Sequence, residues 1–318
     1  MSLNALLSDG ARFAPEYHGG LSNHLPMALV ALQRLGADEA RLEAFAVGYA
    51  ERLAPAPAVQ AWSAGDAWRG RFGEPEAWPA YRSLMAEWIA QEGAGAVLAQ
   101  ALPALMPGCG AGAFHGPIRV AYAVASGHEP ELADALAYWA CRHLPLGPLP
   151  QAPGRVADPE ALLRRLQAGR SRQPLIAQRM RDAAASPALH AEIARLAIDA
   201  GTLERLARLS AKAYTASGNF TALHLLTACH AMRVLQGLLD DPLEALRWFW
   251  QAWATAVVAA GLTQKPPRPV LDWDRIVPRA LASDDEHVVK LIDSCREEER
   301  AYGGDDWRRA ASRAVAVG

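Results

Sequence analysis

Residues 115–140, HGPIRVAYAVASGHEPELADALAYWA, contain the pattern that decides the fold. Apolar residues recur at spacings of three and four on both sides of Gly127, a periodicity typical of amphipathic helices. A glycine between two such stretches is typical of a turn. The stretch therefore predicts a helical hairpin that begins at His115.

The same arrangement occurs elsewhere along the chain, each time beginning with a histidine. It covers residues 24–50 from His24, residues 224–250 from His224 and, shortened near the C-terminus, residues 287–304 from His287. This is a weak internal repeat. It predicts hairpins that pack side by side and direct four histidines toward a common centre.

Helical patterns also dominate the remaining sequence, and neither alternating β-branched runs nor Asn-Gly hairpins occur. We therefore expect an all-α fold, a single large helical domain over residues 1–318 in which the hairpins surround a central pocket. The segment near residues 145–158 is rich in proline and glycine. Because the histidine pattern continues on both sides of it, we expect a surface crossover within that domain.

Composition restricts the class of protein. Of the 318 residues, 51% are hydrophobic and 21% charged, which is typical of a soluble globular protein. A net charge of −2 disfavours nucleic acid as a partner, and no apolar run reaches the ~20 residues of a membrane helix. No signal peptide is visible at the N-terminus. The four cysteines are far apart without a CxxC motif, which excludes a zinc finger and predicts reduced thiols in a cytoplasmic protein.

The repeated histidines predict a metal site. A lone buried histidine is most often an ordinary core residue that bonds a carbonyl group. Four at matched positions are different, because burying four imidazoles without a shared partner costs free energy. Imidazole is a suitable ligand for iron, zinc, copper and nickel.

Lys290 is one of only three lysines among the 32 Lys and Arg residues. It lies three positions after His287, hence on the same side of a helix. Burial would favour its neutral form, and a neutral amine can add carbon dioxide to give an anionic carbamate, which arginine cannot do. The alternative is that Lys290 extends to the surface and pairs with Asp293 or Glu286.

Four stretches together resemble the questin oxidase-like family, whose fungal members open the ring of anthraquinones. They are EYHGGLSNHLPMALVALQRLGA (residues 16–37), GAFHGPIRVAYA (112–123), NFTALHLLTACHAMR (219–233) and DDEHVVKLI (284–292). The resemblance implies an oxygen-dependent oxidoreductase of Baeyer–Villiger type that cleaves a carbon–carbon bond of an aromatic or quinone-like substrate. The expected partners are therefore a small aromatic molecule and dioxygen.

The resemblance also implies a non-haem iron held by four histidines and a carboxylated lysine. On this chain those residues are His24, His115, His224, His287 and Lys290. NADPH is the candidate reductant that the resemblance suggests. No glycine-rich nucleotide motif follows a strand, so no flavin site is visible, and no haem is expected.

Two further histidines are candidates for a ligand or a catalytic role, beside Lys290. His18 stands in the motif YHGG, and His230 lies six positions after His224, about 240° around a helix. Residues close to the motifs are expected to line the substrate pocket, with core packing or helix capping as the alternative. They are Tyr17, Asn23, Phe114, Tyr122 and Phe220.

Two other functions compete with an oxygenase. A carbamylated lysine with histidines also suits a hydrolase that activates water on zinc or nickel. A non-catalytic helical protein with structural histidines is the other alternative.

Overall fold

A computed structural model describes residues 1–63, 67–169 and 171–316 of the chain. Within these residues the α-helices are α1 (Leu3–Gly10), α2 (Leu25–Leu35), α3 (Glu39–Ala50), α4 (Trp78–Glu92), α5 (Ala94–Leu105), α6 (His115–Ser126), α7 (Glu129–Cys141), α8 (Glu160–Leu163), α9 (Ile176–Ala184), α10 (Pro187–Ile193), α11 (Thr202–Ser217), α12 (Phe220–Gln236), α13 (Pro242–Ala260), α14 (Trp273–Ala282), α15 (Glu286–Tyr302) and α16 (Asp306–Val315).

The remaining regular structure is small. Short 3₁₀ helices cover Trp68–Arg71, Pro75–Ala77 and Met106–Gly108, and β1 (Glu16–Tyr17) pairs antiparallel with β2 (Leu21–Ser22). The prediction of an all-α protein is confirmed.

The four histidine-bearing segments form the centre of the molecule. Helix α2 packs against α6 and α15, and α12 packs against the same two helices, so the four close into a ring. Each is followed by a second helix: α3, α7, α13 and α16 respectively. The fourth hairpin is thus complete, because α16 packs back against α15.

The ends of the central helices follow from local sequence. Asn219 caps α12 by accepting hydrogen bonds from the backbone N–H groups of Thr221 and Ala222, and Asp285 caps α15 in the same way. Helices α2 and α6 end at Gly36 and Gly127, whose φ angles of 103° and 66° favour glycine. Short-range capping therefore sets the points at which α12 and α15 begin and at which α2 and α6 end.

One hydrophobic core extends from Leu3 to Ala314 and includes residues on both sides of the predicted crossover. The segment between α7 and α8, residues 142–159, contains the predicted crossover. Half of its residues are exposed, and it forms no helix or strand apart from isolated bridges at Leu144 and Val156. All four cysteines are buried with free thiols. Over the described ranges, no helix combines the length and the apolar character needed to cross a bilayer.

A buried ion pair joins α6 to α7. The Arg119 guanidinium donates to both oxygens of Glu131, at 2.6 and 2.8 Å, and the side chains are 5% and 6% exposed. Glu131→Ala would leave Arg119 uncompensated inside the protein. We expect a loss of about 3–5 kcal/mol in the free energy of unfolding, measured by urea denaturation.

The matched control for Glu131→Ala is Asp305→Ala, which removes an exposed i,i+4 pair with Arg309. That loss should stay below about 1 kcal/mol. Equal losses for the two variants would contradict the role assigned to the buried pair.

Candidate metal centre

Four imidazole rings meet where the central helices begin. His24 directly precedes α2, His115 is the first residue of α6, His224 lies one turn into α12, and His287 is the second residue of α15. The ring centroids lie 4.6 Å apart for His24–His115, 4.8 Å for His115–His224, 5.6 Å for His224–His287 and 4.5 Å for His287–His24. The structure therefore brings the four predicted ligands into one closed cluster, which we call the histidine cluster.

Backbone carbonyls determine which nitrogens of two of these rings are free. The Nδ1–H of His224 donates to the carbonyl oxygen of Phe220 at 2.8 Å, and the Nδ1–H of His115 donates to that of Gly112. A neutral imidazole has one N–H, so Nε2 of each ring carries an unprotonated lone pair. These two Nε2 atoms lie 3.3 Å apart. In the neutral state the contact joins two acceptors, whose lone pairs repel each other, and a positive charge between them would remove this repulsion.

A proton would be a costly source of that charge. The rings of His24, His115 and His224 are at most 7% exposed. Burial, followed by the positive charge of Lys290 or of neighbouring histidines, lowers the pKa of each well below its ordinary value of 6.5.

A metal ion fits the spacing of these nitrogens. Metal–imidazole bonds of about 2.0–2.1 Å place adjacent ligand nitrogens roughly 3 Å apart. The Nε2 atoms of His24 and His115 are 2.7 Å apart, and those of His115 and His224 are 3.3 Å apart. The donor set and the spacing of these three rings are thus compatible with a divalent metal ion.

Glu286 supports the other side of the cluster. Its Oε1 lies 3.4 Å from Nδ1 of His24 and 3.4 Å from Nδ1 of His287, while Arg52 approaches Oε2 at 3.4 Å. Nδ1 of His24 and Nε2 of His287 are buried without a hydrogen-bond partner. A carboxylate beside Nδ1 orients an imidazole so that Nε2 faces the metal.

His24, Glu286 and His287 also have potential ligand atoms that all lie within 4.8 Å of one another. We favour Glu286 as an orienting group because its oxygen is on the Nδ1 side of both rings, whereas Nε2 of His24 faces His115. From the sequence, Glu286 is expected only as a surface partner of Lys290. Its position directly before His287 was the available signal.

Lys290 lies beside the cluster and is 2% exposed. Its charge lowers the pKa of His24, His115 and His224, and burial lowers its own pKa to about 8. The expected surface partner Asp293 is instead bonded by Arg34 and Tyr122. Lys290 therefore occupies the interior, where a minor part of its amine is neutral near neutral pH.

A cavity of about 750 Å³ opens onto the cluster. Among its lining residues are His24, His115, His224 and His287. Of the five residues expected in a substrate pocket, Tyr17 and Phe220 line it. The volume is in the range of small-molecule sites.

Asn23, Phe114 and Tyr122 do not line this cavity. Asn23 accepts from the N–H of Leu25 and donates to the carbonyl of Ala14, so it fixes the entry into α2. Phe114 is fully buried against Phe249, and Tyr122 donates to Asp293. For these three, the structure favours the packing and capping alternatives.

The two remaining candidate histidines lie outside the cluster. His18 is exposed in the turn between β1 and β2, where its φ is 43°. His230 is buried deeper in α12, with Nδ1 2.9 Å from Glu298 and 3.3 Å from Arg233. Its position agrees with the expected rotation of about 240° from His224.

Acid is expected to destabilise the metal-free protein through this cluster. Below about pH 6.5 the histidines of the unfolded chain take up protons. The buried histidines of the folded protein do not, because their pKa values are lowered, so the free energy of unfolding decreases as the pH decreases. His224→Gln removes one such group. The fall between pH 6.5 and about pH 5 should become shallower, by up to about 1.4 kcal/mol per pH unit.

Urea unfolding of chelator-treated protein over this pH range measures the effect. The control is His18→Gln, since His18 is exposed and outside the cluster. Identical slopes in the wild type and in both variants would contradict the burial argument.

Comparison with known proteins gives a family for this chain. The family model described as questin oxidase-like matches residues 21–295, which include all four cluster histidines and Lys290. A search among curated proteins finds no match. Membership in this family suggests an oxidase. Because the match covers most of the chain, the chain belongs to the questin oxidase-like family.

Proposed function

We propose that the protein is a metal-dependent oxidoreductase that uses non-haem iron to oxidise an aromatic or quinone-like substrate. One observation carries the metal part of the proposal. The unprotonated Nε2 atoms of His115 and His224 face each other at 3.3 Å inside the protein, with both Nδ1–H groups committed to backbone carbonyls. A bound cation removes the repulsion between these lone pairs.

The residues that would hold the ion are His24, His115, His224 and His287. Lys290 would add a fifth ligand after reaction with carbon dioxide, in which its neutral amine forms an N–C bond to carbon dioxide and releases a proton. The product is an anionic carbamate. The pKa of about 8 supports this step, because it leaves part of the amine unprotonated near neutral pH. Conversion of the Lys290 side chain from a cationic ammonium to an anionic carbamate also favours the binding of a divalent metal ion nearby.

When bound, iron(II) would supply the activation of dioxygen and the polarisation of a substrate oxygen. The chain itself would bind and orient the substrate. Phe220 is 53% exposed and packs its ring 4.5 Å from that of His224, so it offers an apolar surface for a flat ring beside the cluster. The Tyr17 hydroxyl lies 3.3 Å from that of Tyr49 and would donate a hydrogen bond to a substrate oxygen.

The proposed reaction is a Baeyer–Villiger-type oxidation that leads to cleavage of a carbon–carbon bond. Insertion of one atom of dioxygen beside a carbonyl group, with reduction of the other atom to water, consumes two electrons and two protons. NADPH is the proposed donor of the electrons. The family assignment supports this reaction class.

Metal analysis tests the proposal directly. The full chain purified under anaerobic conditions should contain iron, and His115→Ala should lower the iron content at least about tenfold because it removes the ring shared by both short Nε2 contacts. His18→Ala should retain iron. Zinc or nickel in place of iron would favour the hydrolase alternative, and a metal-free wild type would contradict a metal centre.

A second test concerns the modification of Lys290. Protein equilibrated with ¹³C-labelled bicarbonate should show a carbamate resonance by ¹³C NMR, and Lys290→Arg should lack it because a guanidinium does not add carbon dioxide. Iron content should also fall in this variant. Lys212→Arg is the matched control, since Lys212 lies on the exposed side of α11. Unchanged NMR signal and iron content in Lys290→Arg would contradict the carbamate.

A further inference from the structure

The cavity that opens onto the histidine cluster contains cationic side chains without anionic partners. Glu16 and Glu286 are the carboxylates that line it, and both are already paired, with Arg142 and Arg52 respectively. Arg179 and Arg181 line the same cavity. Over residues 1–63, 67–169 and 171–316, no carboxylate lies within ion-pair distance of either guanidinium.

Local structure holds Arg179 at the cavity. Both arginines belong to α9, whose N-terminal end also lines the cavity through Ile176 and Gln178. The Nη1 group of Arg179 donates to the carbonyl oxygens of Gln173 and Pro174, at 3.1 and 3.0 Å. These bonds use one of its nitrogens and leave the others free to donate to a ligand. The positive end of the helix dipole adds to the charge on this wall of the cavity.

Other parts of the cavity wall are apolar. Leu21 and Phe220 line it although they are 45% and 53% exposed, and Leu175 also lines it. Exposed apolar groups in a cleft favour a ligand that covers them. An apolar surface near the cluster together with an uncompensated positive wall matches a ligand that has a flat ring and a negative group.

We propose that the cavity binds an aromatic substrate that carries a carboxylate, that Arg179 binds this carboxylate, and that the exposed Arg181 adds positive charge to the same wall. Planar guanidinium groups form paired, charge-assisted hydrogen bonds with a carboxylate. An uncharged quinone would leave the positive charge of the partly buried Arg179 without a counter-ion. The aromatic ring of this ligand rests on the proposed function, in which that ring is oxidised. The binding of the carboxylate by arginine does not depend on the metal.

Two probes of the same shape test the subsite. Binding of 9,10-anthraquinone-2-carboxylate and of the corresponding carboxamide to the full chain can be followed by quenching of tryptophan fluorescence. The wild type should bind the carboxylate roughly tenfold more tightly than the carboxamide. Added salt should reduce this preference, since the ion pair is partly exposed.

The variant Arg179→Gln/Arg181→Gln should lose the preference while binding the carboxamide as the wild type does. Arg172→Gln is the matched control, because Arg172 is exposed in the same segment but does not line the cavity. The comparison of two probes on the wild-type chain does not depend on the folding of any variant. Equal affinities of the wild type for the two probes would overturn the inference.

Together with the metal analysis, this experiment separates the inference from the proposed function. Protein that contains iron but shows no carboxylate preference would refute the anion subsite alone. A carboxylate preference that depends on the arginines, in protein that takes up no iron, would support the subsite and refute the iron centre alone.

Discussion

Two imidazole nitrogens without protons face each other in the centre of the helix ring, and the surrounding structure keeps them there. The carbonyl of Phe220 holds the proton of His224 on Nδ1, and the carbonyl of Gly112 does the same for His115. Directly before α6, Ala113 and Phe114 have φ angles of 59° and 71°, which are unfavourable for residues other than glycine. This strained turn leads from the Gly112 carbonyl into α6, whose first residue is His115.

Helix α15 shows how the fold accommodates so much buried polarity. Glu286, Asp293 and Glu298 are buried along it together with Lys290. Each carboxylate has an arginine partner from a neighbouring helix or from the segment that follows one: Arg52 for Glu286, Arg34 for Asp293 and Arg233 for Glu298. These arginines are partly exposed, so their long side chains reach inward from the surface. Lys290 differs because burial lowers its pKa, and the negative charges of Glu286 and Asp285 offset this effect only in part.

Much of the fold and part of the candidate site could be predicted from the sequence. Helical periodicity and short-range caps are local properties, so the hairpins and the histidine that begins each were visible. Glu286, Arg179 and Arg181 were missed as site residues because their roles depend on neighbours from other helices. Tyr122 was expected in the pocket but lies two turns beyond His115 on α6, about 10 Å deeper in the bundle. Proximity in sequence to a predicted metal-ligating residue does not determine how deeply a side chain is buried.

The sequence by itself determined the helical class, the positions of the hairpins and the set of four histidines, because these follow from spacing and residue type. Only the tertiary structure decided that the four imidazoles form one closed cluster, since the closing contacts join helices up to about 260 residues apart. It also decided which nitrogens are free and which charges are paired. Those properties arise from atoms that meet across helices, and no local pattern encodes them.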